Sequence, residues 1–376
     1  MRHLIYADNA ATTKLDIDAL SAMLPFLREE YGNVSSQYSF ARSPKEAISN
    51  ARKIIAECIK AKTNEIFFTS GGTESDNWAI KGTALKYRKK GNHLITSSIE
   101  HHAVLNSCSF LEDIGYEVTY LPVGSTGVVN TRELLKEIRS DTILISIMNA
   151  NNEIGTIQDI TELSKIAQER NIYFHCDAVQ AIGHIQIDVK NLGIDLLSAS
   201  AHKFNGPKGV GFLYKKDGTN LGNWSSGGKQ ENGYRAGTEN VASIVGMAVA
   251  LKKNIDLIDQ NSNYLKKLTT IFLEKLNLLG EDFVINGDIN RLPGNINISF
   301  KDQDGEAIMH RLDLKGIMVS TGSACTSGKT DISHVIRAIS TPKEYAAGTI
   351  RITLGKDNTI DEVLGIAEAI KAVLKV

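Results

Sequence analysis

The chain has 376 residues, which is more than one hydrophobic core usually organises, because cores stop growing at about 250–300 residues. We therefore expect two domains. A net charge of -1, with 42% hydrophobic and 23% charged residues, is typical of a soluble globular protein. This balance provides no attraction to nucleic acid or to an anionic membrane, so we expect small molecules or other proteins as partners.

The sequence also shows no segment that would direct the chain into or across a membrane. Its first residues lack the apolar core of a signal peptide, and no run approaches the roughly 18 apolar residues of a membrane span. We expect a cytoplasmic location. The cysteines are far apart and form no CxxC pair, which argues against a zinc site and a disulfide framework. They are Cys58, Cys108, Cys176 and Cys325.

Apolar spacing predicts two helices near the start, followed by a regular alternation of strands and helices. The second helix covers about Ser43 to Ala61, with Ser43 as its N-cap. The alternation indicates an α/β fold with a mostly parallel sheet, covered on both faces. The predicted elements are Asp16–Tyr31, Ser43–Ala61, Glu65–Thr69, His93–Ser97, Ala103–Ile114, Glu117–Pro122, Arg132–Arg139, Thr142–Met148, Ile160–Arg170, Ile172–Cys176 and Ile194–Ser200.

The pattern after about Asn261 predicts a compact second domain that mixes helices and strands. Its last helix opens with a capping box formed by Thr359 and Glu362. We expect residues 16–258 to form a large domain, and residues 1–15 and 259–376 to form a small one. The other predicted elements of the small domain are Tyr264–Leu279, Asn295–Phe300, Glu306–Lys315, Ile317–Ser320, Ser333–Ile339 and Thr349–Leu354.

The segment Ser70-Gly-Gly-Thr-Glu-Ser75 lies between a predicted strand and a predicted helix. The free N–H groups of a helix N-terminus and the helix dipole both favour a bound phosphate. The segment is neither a Walker loop nor a GxGxxG dinucleotide turn. Most turns of this kind only change the direction of the chain, so the phosphate interpretation depends on other residues.

Lys203 stands between an apolar strand and a glycine-rich turn, at the sheet edge where open α/β sheets bind ligands. A lysine attacks an aldehyde only when its ordinary pKa of about 10.4 is lowered by burial or by a neighbouring cation. We expect His202 and Lys208 to be the neighbouring groups. The competing interpretation is that Lys203 and Lys208 are surface lysines of a loop.

Asp177 ends an apolar strand, where a half-buried carboxylate needs a cationic partner such as a protonated pyridine nitrogen. Pyridoxal phosphate needs a lysine for its aldehyde, a carboxylate for its ring nitrogen and a phosphate pocket. Lys203, Asp177 and Gly72-Thr73 can supply these groups. Gln180 can donate to the ring hydroxyl, and His101 can lie over the ring. A helix N-cap is the alternative for Asp177.

Arg351 lies in a predicted strand in which Ile350, Ile352 and Leu354 take the core face. Arg351 then faces the other way, where a guanidinium can bind a carboxylate through two hydrogen bonds. An exposed strand arginine is the alternative.

A set of short motifs extends over essentially the whole chain. It comprises Tyr6-Ala-Asp-Asn-Ala-Ala-Thr-Thr13, Thr69-Ser-Gly-Gly-Thr-Glu-Ser-Asp-Asn77, Glu100-His-His-Ala-Val104, Asn151-Asn-Glu-Ile-Gly155, Asp177-Ala-Val-Gln180, His202-Lys203, Arg235-Ala-Gly-Thr-Glu-Asn240, Gly322-Ser-Ala-Cys-Thr-Ser-Gly328 and Arg351. Through these motifs the chain resembles the cysteine desulfurases of the NifS/IscS branch, which belong to the class V aminotransferases. The resemblance implies fold type I of the pyridoxal-phosphate enzymes, with a smaller α+β C-terminal domain that carries the catalytic cysteine loop.

The resemblance also implies a role for each matching residue. Lys203 carries the cofactor, Cys325 takes the sulfur, and His101 stacks on the ring and moves protons. Thr238 is implied to reach the phosphate in the other subunit of a dimer. The residues implied to hold the ring or the phosphate within one subunit are Gly72, Thr73, Asn151, Asp177, Gln180, Ser200 and His202, and those implied to bind the substrate are Asn33, Asn151 and Arg351.

The implied reaction converts L-cysteine to L-alanine and leaves the sulfur as a persulfide on Cys325. The sulfur then passes to acceptor proteins of iron–sulfur cluster assembly or of tRNA or cofactor thiolation. No resident metal is implied, although Cys325 is a candidate for a transient iron–sulfur ligand. The implied assembly is a homodimer that makes no direct contact with nucleic acid or membrane.

Two alternatives to this function stay open at the level of sequence. One is another reaction on the same cofactor, such as selenocysteine lysis or transamination. The other is a sulfur-relay or partner-binding protein without activity. Departures from the residues usual in the family occur at Val34, Lys229, Asn232 and Ile332.

Overall fold

A computed structural model describes residues 4–321 and 332–374. Within these ranges the strands are β1 (Ile5–Tyr6), β2 (Ile66–Thr69), β3 (His93–Ser97), β4 (Glu117–Leu121), β5 (Thr142–Ser146), β6 (Tyr173–Asp177), β7 (Leu196–Ser200), β8 (Gly211–Lys215), β9 (Phe283–Ile285), β10 (Asn295–Phe300), β11 (Ile317–Met318) and β12 (Thr349–Thr353). The helices are α1 (Ile17–Arg28), α2 (Arg42–Cys58), α3 (Gly72–Tyr87), α4 (His102–Asp113), α5 (Thr131–Glu137), α6 (Ile160–Glu169), α7 (Val241–Asp256), α8 (Ile258–Leu278), α9 (Gly305–Asp313), α10 (His334–Ala338), α11 (Lys343–Ala346) and α12 (Ile360–Leu374). No helix in the described ranges is long and apolar enough to cross a membrane.

The largest sheet of the described chain has seven strands in the order β2-β8-β7-β6-β5-β3-β4. Strands β4, β3, β5, β6 and β7 run parallel, whereas β8 is antiparallel to both β7 and β2. Every residue of β3, β5 and β7 is buried, as expected for strands covered on both faces. The prediction of an α/β fold with a mostly parallel sheet is confirmed.

The direction of the strands brings the polar residues that follow them to one edge of this sheet. Asp177 is the last residue of β6, and a 3₁₀ turn at Ala201–Lys203 directly follows β7. His101 follows β3 and caps helix α4. Because the carboxyl ends of parallel strands meet at the same edge, these side chains come together there.

A second hydrophobic core surrounds the antiparallel sheet β12-β10-β9 and helices α8, α9 and α12. Ile350 and Ile352 are completely buried in this core, as the alternating pattern predicts. Strand β1 pairs in parallel with β11, so the N-terminal segment is attached to this second core. The domain boundaries stay a prediction.

Two helix starts test the capping predictions. Helix α2 begins at Arg42, so Ser43 lies inside it and its hydroxyl contacts Glu30; the N-cap prediction for Ser43 is wrong. The capping box is confirmed, because the Thr359 hydroxyl accepts from Glu362 N at 3.2 Å and the Glu362 carboxylate accepts from Thr359 N at 3.0 Å.

Strand β8 is an element that the sequence analysis missed, because its first residue ends the glycine-rich segment before it. A Cβ on Gly211 would lie 2.3 Å from Ala199 O and 2.7 Å from Gly71 Cα. Both are backbone atoms, which cannot rotate away as a side chain can. The absence of a side chain at Gly211 therefore lets β8 support the turn that leads into α3.

Replacement of Gly211 by alanine should lower the free energy of unfolding by about 1–3 kcal/mol, the usual cost of overpacking. Denaturant unfolding would measure the change. The matched control is Gly124→Ala, because a Cβ on Gly124 meets no atom within 4 Å. A Gly211→Ala variant as stable as this control would contradict the close backbone approach.

Candidate active site

A cavity of about 460 Å³ lies at the carboxyl edge of the main sheet, a size typical of small-molecule sites. Its lining includes nine of the residues that the sequence analysis proposes: Gly72, Thr73, His101, Asp177, Gln180, Ser200, His202, Lys203 and Arg351. A second cleft, lined by Ser70–Glu74 and Lys208, shares Gly72, Thr73, Ser200 and His202 with this cavity.

The Lys203 side chain lies inside the cavity, held by the N-terminal segment. Its Nζ donates to Ala10 O at 2.6 Å and to Ala11 O at 2.8 Å. When the amine is neutral, its two N–H donors can make both contacts and its lone pair stays free. The interpretation of Lys203 as a surface lysine is wrong.

The pKa of Lys203 is lowered to about 8, first by burial and then by the nearby charge of Arg351. Asp8 and Asp177 act in the opposite direction. The expected cations, His202 and Lys208, do not account for this shift. Burial and Lys203 itself lower the pKa of His202 to about 4, so His202 is neutral at physiological pH.

Asp177 presents its carboxyl group to the same cavity as Lys203. Its Oδ1 accepts from Val179 N at 2.9 Å. The described residues between β6 and β7 contain no helix, so the N-cap alternative is wrong. Burial raises its pKa, whereas the Val179 N–H and the charge of Lys203 lower it. A carboxyl group with this balance binds a proton readily and can share one with a ring nitrogen.

Two further acidic residues, Asp76 and Glu100, lie near Asp177 and were missed. Asp76 is 1% exposed, and its Oδ1 has no hydrogen-bond partner in the described ranges. Burial, and then Asp177, raise its pKa, while burial raises that of Glu100 to about 8. Glu100 is therefore mostly protonated at pH 7, and burial disfavours the charged form of Asp76. Asp76 follows Gly72 by four residues on α3, and this helical spacing could have identified it.

The predicted phosphate turn forms the N-terminus of α3, which begins at Gly72. A Cβ on Gly72 would lie 2.5 Å from Val179 Cγ2 and 3.5 Å from Ser200 Cβ, so only glycine leaves this space free. The first N–H groups of a helix lack partners within the helix and point toward a bound anion. Gly72, Thr73 and Ser200 thus form a cradle of the kind that a phosphate requires.

The one carboxylate in this turn, Glu74, is neutralised by Arg235. Arg235 Nε donates to Glu74 Oε1 at 2.8 Å, and Ser70 N donates to Glu74 Oε2 at 2.6 Å. The pair removes a charge that would repel a phosphate. It also attaches the loop that leads to Thr238 to the phosphate turn.

The same loop contains two non-glycine residues with left-handed backbone, Glu231 (φ 46°) and Asn232 (φ 57°). The Glu231 carboxylate forms two 2.7 Å hydrogen bonds with Arg52 and accepts from Phe68 N at 3.0 Å. These contacts hold the strained conformation. Asparagine adopts left-handed backbone more readily than most residues, which gives a physical reason for Asn232.

His101 is the N-cap of α4, and its Nδ1 accepts from Ala103 N at 3.1 Å. The proton of the neutral ring is therefore on Nε2. Burial, and then Lys203 and His102, lower the pKa of His101 to about 4. Above pH 5 the imidazole is neutral and carries one N–H that can donate.

Arg351 reaches the cavity from β12 in the second core, and its side chain is only 6% exposed. Nη2 donates to Asp8 Oδ1 at 2.7 Å, and Nη1 donates to Asn152 O at 3.0 Å. The exposed-arginine alternative is wrong. Asp8 and Asn152 also line the cavity, and the sequence analysis assigns a role to neither.

Three of the proposed residues that the structure describes do not line the cavity. Asn151 is fully buried. Its Nδ2 donates to Ile99 O, and its Oδ1 accepts from Glu153 N and Ile154 N, so it shapes the loop that presents Asn152. Exposed side chains are found at Asn33 and Thr238. The remaining residue, Cys325, lies outside the described ranges, and all four roles stay predictions.

The residues in the cavity fit pyridoxal phosphate by their chemistry. A buried primary amine with a lowered pKa suits an aldehyde, and a buried carboxyl group suits a ring nitrogen. The cradle at Gly72 suits a phosphate. Gln180 Nε2 donates to Ala10 O at 3.0 Å, which places its amide on the cavity wall.

Comparison with known proteins agrees with this fit. Residues 5–365 match the class-V aminotransferase family. Cysteine desulfurase IscS of Dictyoglomus turgidum is 53% identical over 364 residues, which make up 96% of this chain and 92% of the relative. A NifS-like protein of known structure gives a TM-score of 0.94 at 38% identity, covering 99% of this chain and 100% of its own. A structure of SspA in complex with cysteine gives a TM-score of 0.84 at 37% identity, and the match covers 94% of this chain and 100% of that one.

The fold and the cavity define a pyridoxal-phosphate-dependent enzyme of fold type I. Its C-terminal sheet and helices form the smaller α+β part of that fold. The chain belongs to the class-V aminotransferase family and, within it, to the cysteine desulfurases.

The cofactor-free protein should bind pyridoxal phosphate covalently through the neutral amine of Lys203. Since the neutral fraction grows as pH rises through the pKa, the rate should increase through about pH 8 rather than about pH 10.4. Visible absorbance would follow the reaction, and borohydride reduction with peptide mass spectrometry would identify the lysine. Lys203→Ala should lose the adduct and Lys208→Ala should keep it. A reducible adduct on Lys203→Ala would assign the role to another lysine.

Proposed function

We propose that this enzyme converts L-cysteine to L-alanine and leaves the sulfur as a persulfide on Cys325. The observation that most supports Cys325 is the state of the other cysteines. Cys58, Cys108 and Cys176 are buried, and burial raises the pKa of Cys58 to about 11 and that of Cys108 to about 12. Burial also raises the pKa of Cys176. These groups are unreactive thiols, because the thiolate is the nucleophilic form.

The residues of the cavity would hold the cofactor as their chemistry indicates. Asp177 would keep the ring nitrogen protonated, and Gln180 would donate to the ring hydroxyl. The phosphate would be bound by Gly72-Thr73 together with Ser200 and His202. When bound, pyridoxal phosphate supplies an electron sink for bonds at the substrate's α-carbon.

Two groups of the cavity, Lys203 and His101, can exchange or donate a proton to the substrate. Lys203, with a pKa of about 8, exchanges a proton at Nζ near physiological pH. His101 is neutral there and donates from Nε2. Arg351 would bind the substrate's carboxylate, because its guanidinium is buried, charged and aimed into the cavity.

Sulfur transfer needs a thiolate at Cys325 and a substrate whose carbon can accept electrons. The Cys325 thiolate attacks the substrate's sulfur, so an S–S bond forms while the C–S bond breaks. The electron pair of the C–S bond stays with the carbon fragment, which takes up a proton to become alanine. No external oxidant is required for this step.

Cys325→Ala and Cys325→Ser should retain pyridoxal phosphate and still change its visible spectrum when cysteine is added. Neither should release alanine or carry a persulfide, because the sulfur has no acceptor. Alanine assays and persulfide labelling would measure this, with Cys58→Ala as the control that keeps both. Alanine release at the wild-type rate by a Cys325 variant would instead indicate elimination or selenocysteine-lyase chemistry.

The proposal extends to the assembly and to the partners. The enzyme acts in the cytoplasm as a homodimer in which Thr238 of each subunit reaches the phosphate of the other. Thr238 is exposed outside the cavity, on a loop that the contacts of Arg235 and Glu231 hold in place. This position supports a role for Thr238 in the other subunit. The persulfide sulfur passes to an iron–sulfur scaffold protein or to a thiolation enzyme.

A mixed dimer tests the role of Thr238 across the subunits. Thr238→Ala alone should bind the cofactor about 10–100-fold more weakly, since hydrogen bonds to charged groups contribute about 1.5–3 kcal/mol. Mixed with Lys203→Ala subunits, it should regain tight binding and activity at one site per dimer. That site combines the intact Lys203 of one chain with the intact Thr238 of the other. Failure to regain either property would place Thr238 in its own subunit's site or in none.

A further inference from the structure

The ion pair between Arg351 and Asp8 occupies the place proposed for the substrate's carboxylate. The Nη2–Oδ1 distance is 2.7 Å, and the two side chains are 6% and 19% exposed. Both residues line the cavity that contains Lys203. They come from distant segments, the turn after β1 and strand β12. The pair is therefore a contact of the active site and not of the protein surface.

The guanidinium has more hydrogen-bonding capacity than the observed contacts use. Of its five N–H donors, one is directed to Asp8 and one to Asn152 O. Nε is buried without a partner in the described part of the chain. A buried donor left unpaired is unfavourable, so the site is incomplete with Asp8 alone. An incoming carboxylate can supply the missing acceptor.

An incoming carboxylate would nevertheless meet the negative charge of Asp8 at the same guanidinium. Opposite charges at this distance attract strongly in a site with little water, and two carboxylates on one cation repel each other for the same reason. Asp8 balances the charge of Arg351 while the site is empty of substrate. Binding must then either displace Asp8 or place a second negative charge beside it.

We propose that Asp8 competes with the substrate's carboxylate for Arg351. The competition weakens the binding of every α-carboxylate by a similar factor. An amino acid is then retained only if its amine and side chain also make contacts. This inference rests on the proposed role of Arg351 as the carboxylate site.

If Asp8 only positions Arg351, removal of Asp8 should change the affinity for carboxylates in the opposite direction. If Asp8 mainly holds Arg351 in place, its removal leaves the guanidinium poorly oriented and carboxylates bind more weakly. If Asp8 competes, its removal frees the guanidinium and carboxylates bind more tightly. Asp8→Asn is the appropriate variant, because it keeps the size of the side chain and removes the charge.

The test compares L-alanine with L-alaninamide as inhibitors of the complete enzyme. The two differ at the carboxyl group, which also alters the basicity of the amine. That difference is the same for every variant, so a change in the ratio of their inhibition constants reports the carboxylate's contribution. Asp8 also raises the pKa of Lys203, but that effect acts on both amines and cancels in the ratio. Asp8→Asn should increase the amide-to-acid ratio about tenfold, which corresponds to about 1.4 kcal/mol.

Three variants make the result decisive. Asp217→Asn removes a carboxylate from an exposed ion pair with Lys62 and should leave the ratio unchanged. Arg351→Ala should reduce the ratio toward one. Asp8→Ser, whose side chain is shorter and uncharged, should raise the amide-to-acid ratio as Asp8→Asn does. It serves as the test variant if Asp8→Asn does not fold.

The outcomes separate this inference from the proposed function. An unchanged or smaller ratio in the Asp8 variants, with a strong effect of Arg351→Ala, overturns the competition and leaves Arg351 as the carboxylate site. An unchanged ratio in Arg351→Ala overturns the carboxylate role of Arg351 itself. An increase in the Asp8 variants with collapse in Arg351→Ala supports both.

Discussion

The burial of one lysine amine is the constraint on which the active site depends. Lys203 is useful only while its amine can lose a proton near neutral pH, and removal from water lowers its pKa to about 8. Such burial requires acceptors for the two N–H groups, and the carbonyls of Ala10 and Ala11 supply them. The charges of Arg351, Asp8 and Asp177 then adjust the remaining balance.

The sequence predicts this site well wherever a residue's role is local. Asp177 ends a strand, Gly72 starts a helix, and Lys203 follows a strand, so the parallel sheet alone brings them together. The alternation around Arg351 likewise indicates its orientation. Recognition of the family added roles for Asn33 and Thr238, which no local pattern suggests.

What the sequence could not predict are contacts between distant segments. The cation that lowers the pKa of Lys203 is Arg351, 148 residues later in the chain, and not its neighbours His202 and Lys208. Strand β8 was missed because Gly211 reads as part of a turn, although its missing side chain serves a close backbone contact. Asp76 looks like an ordinary polar residue of a helix until its burial is known.

The contact between the N-terminal segment and strand β12 has a consequence for the order in which the parts of the active site form during synthesis. The segment that holds Lys203 is itself tied to the last strand, since Ala10 N donates to the Thr353 hydroxyl and Asn9 N donates to Thr353 O. Synthesis proceeds from the N-terminus, and earlier parts of a chain can fold first. The main sheet can therefore form on the ribosome while the lysine pocket still lacks its walls. The nascent chain gains a complete cofactor site only when strand β12 has emerged, because Arg351 follows Lys203 by 148 residues.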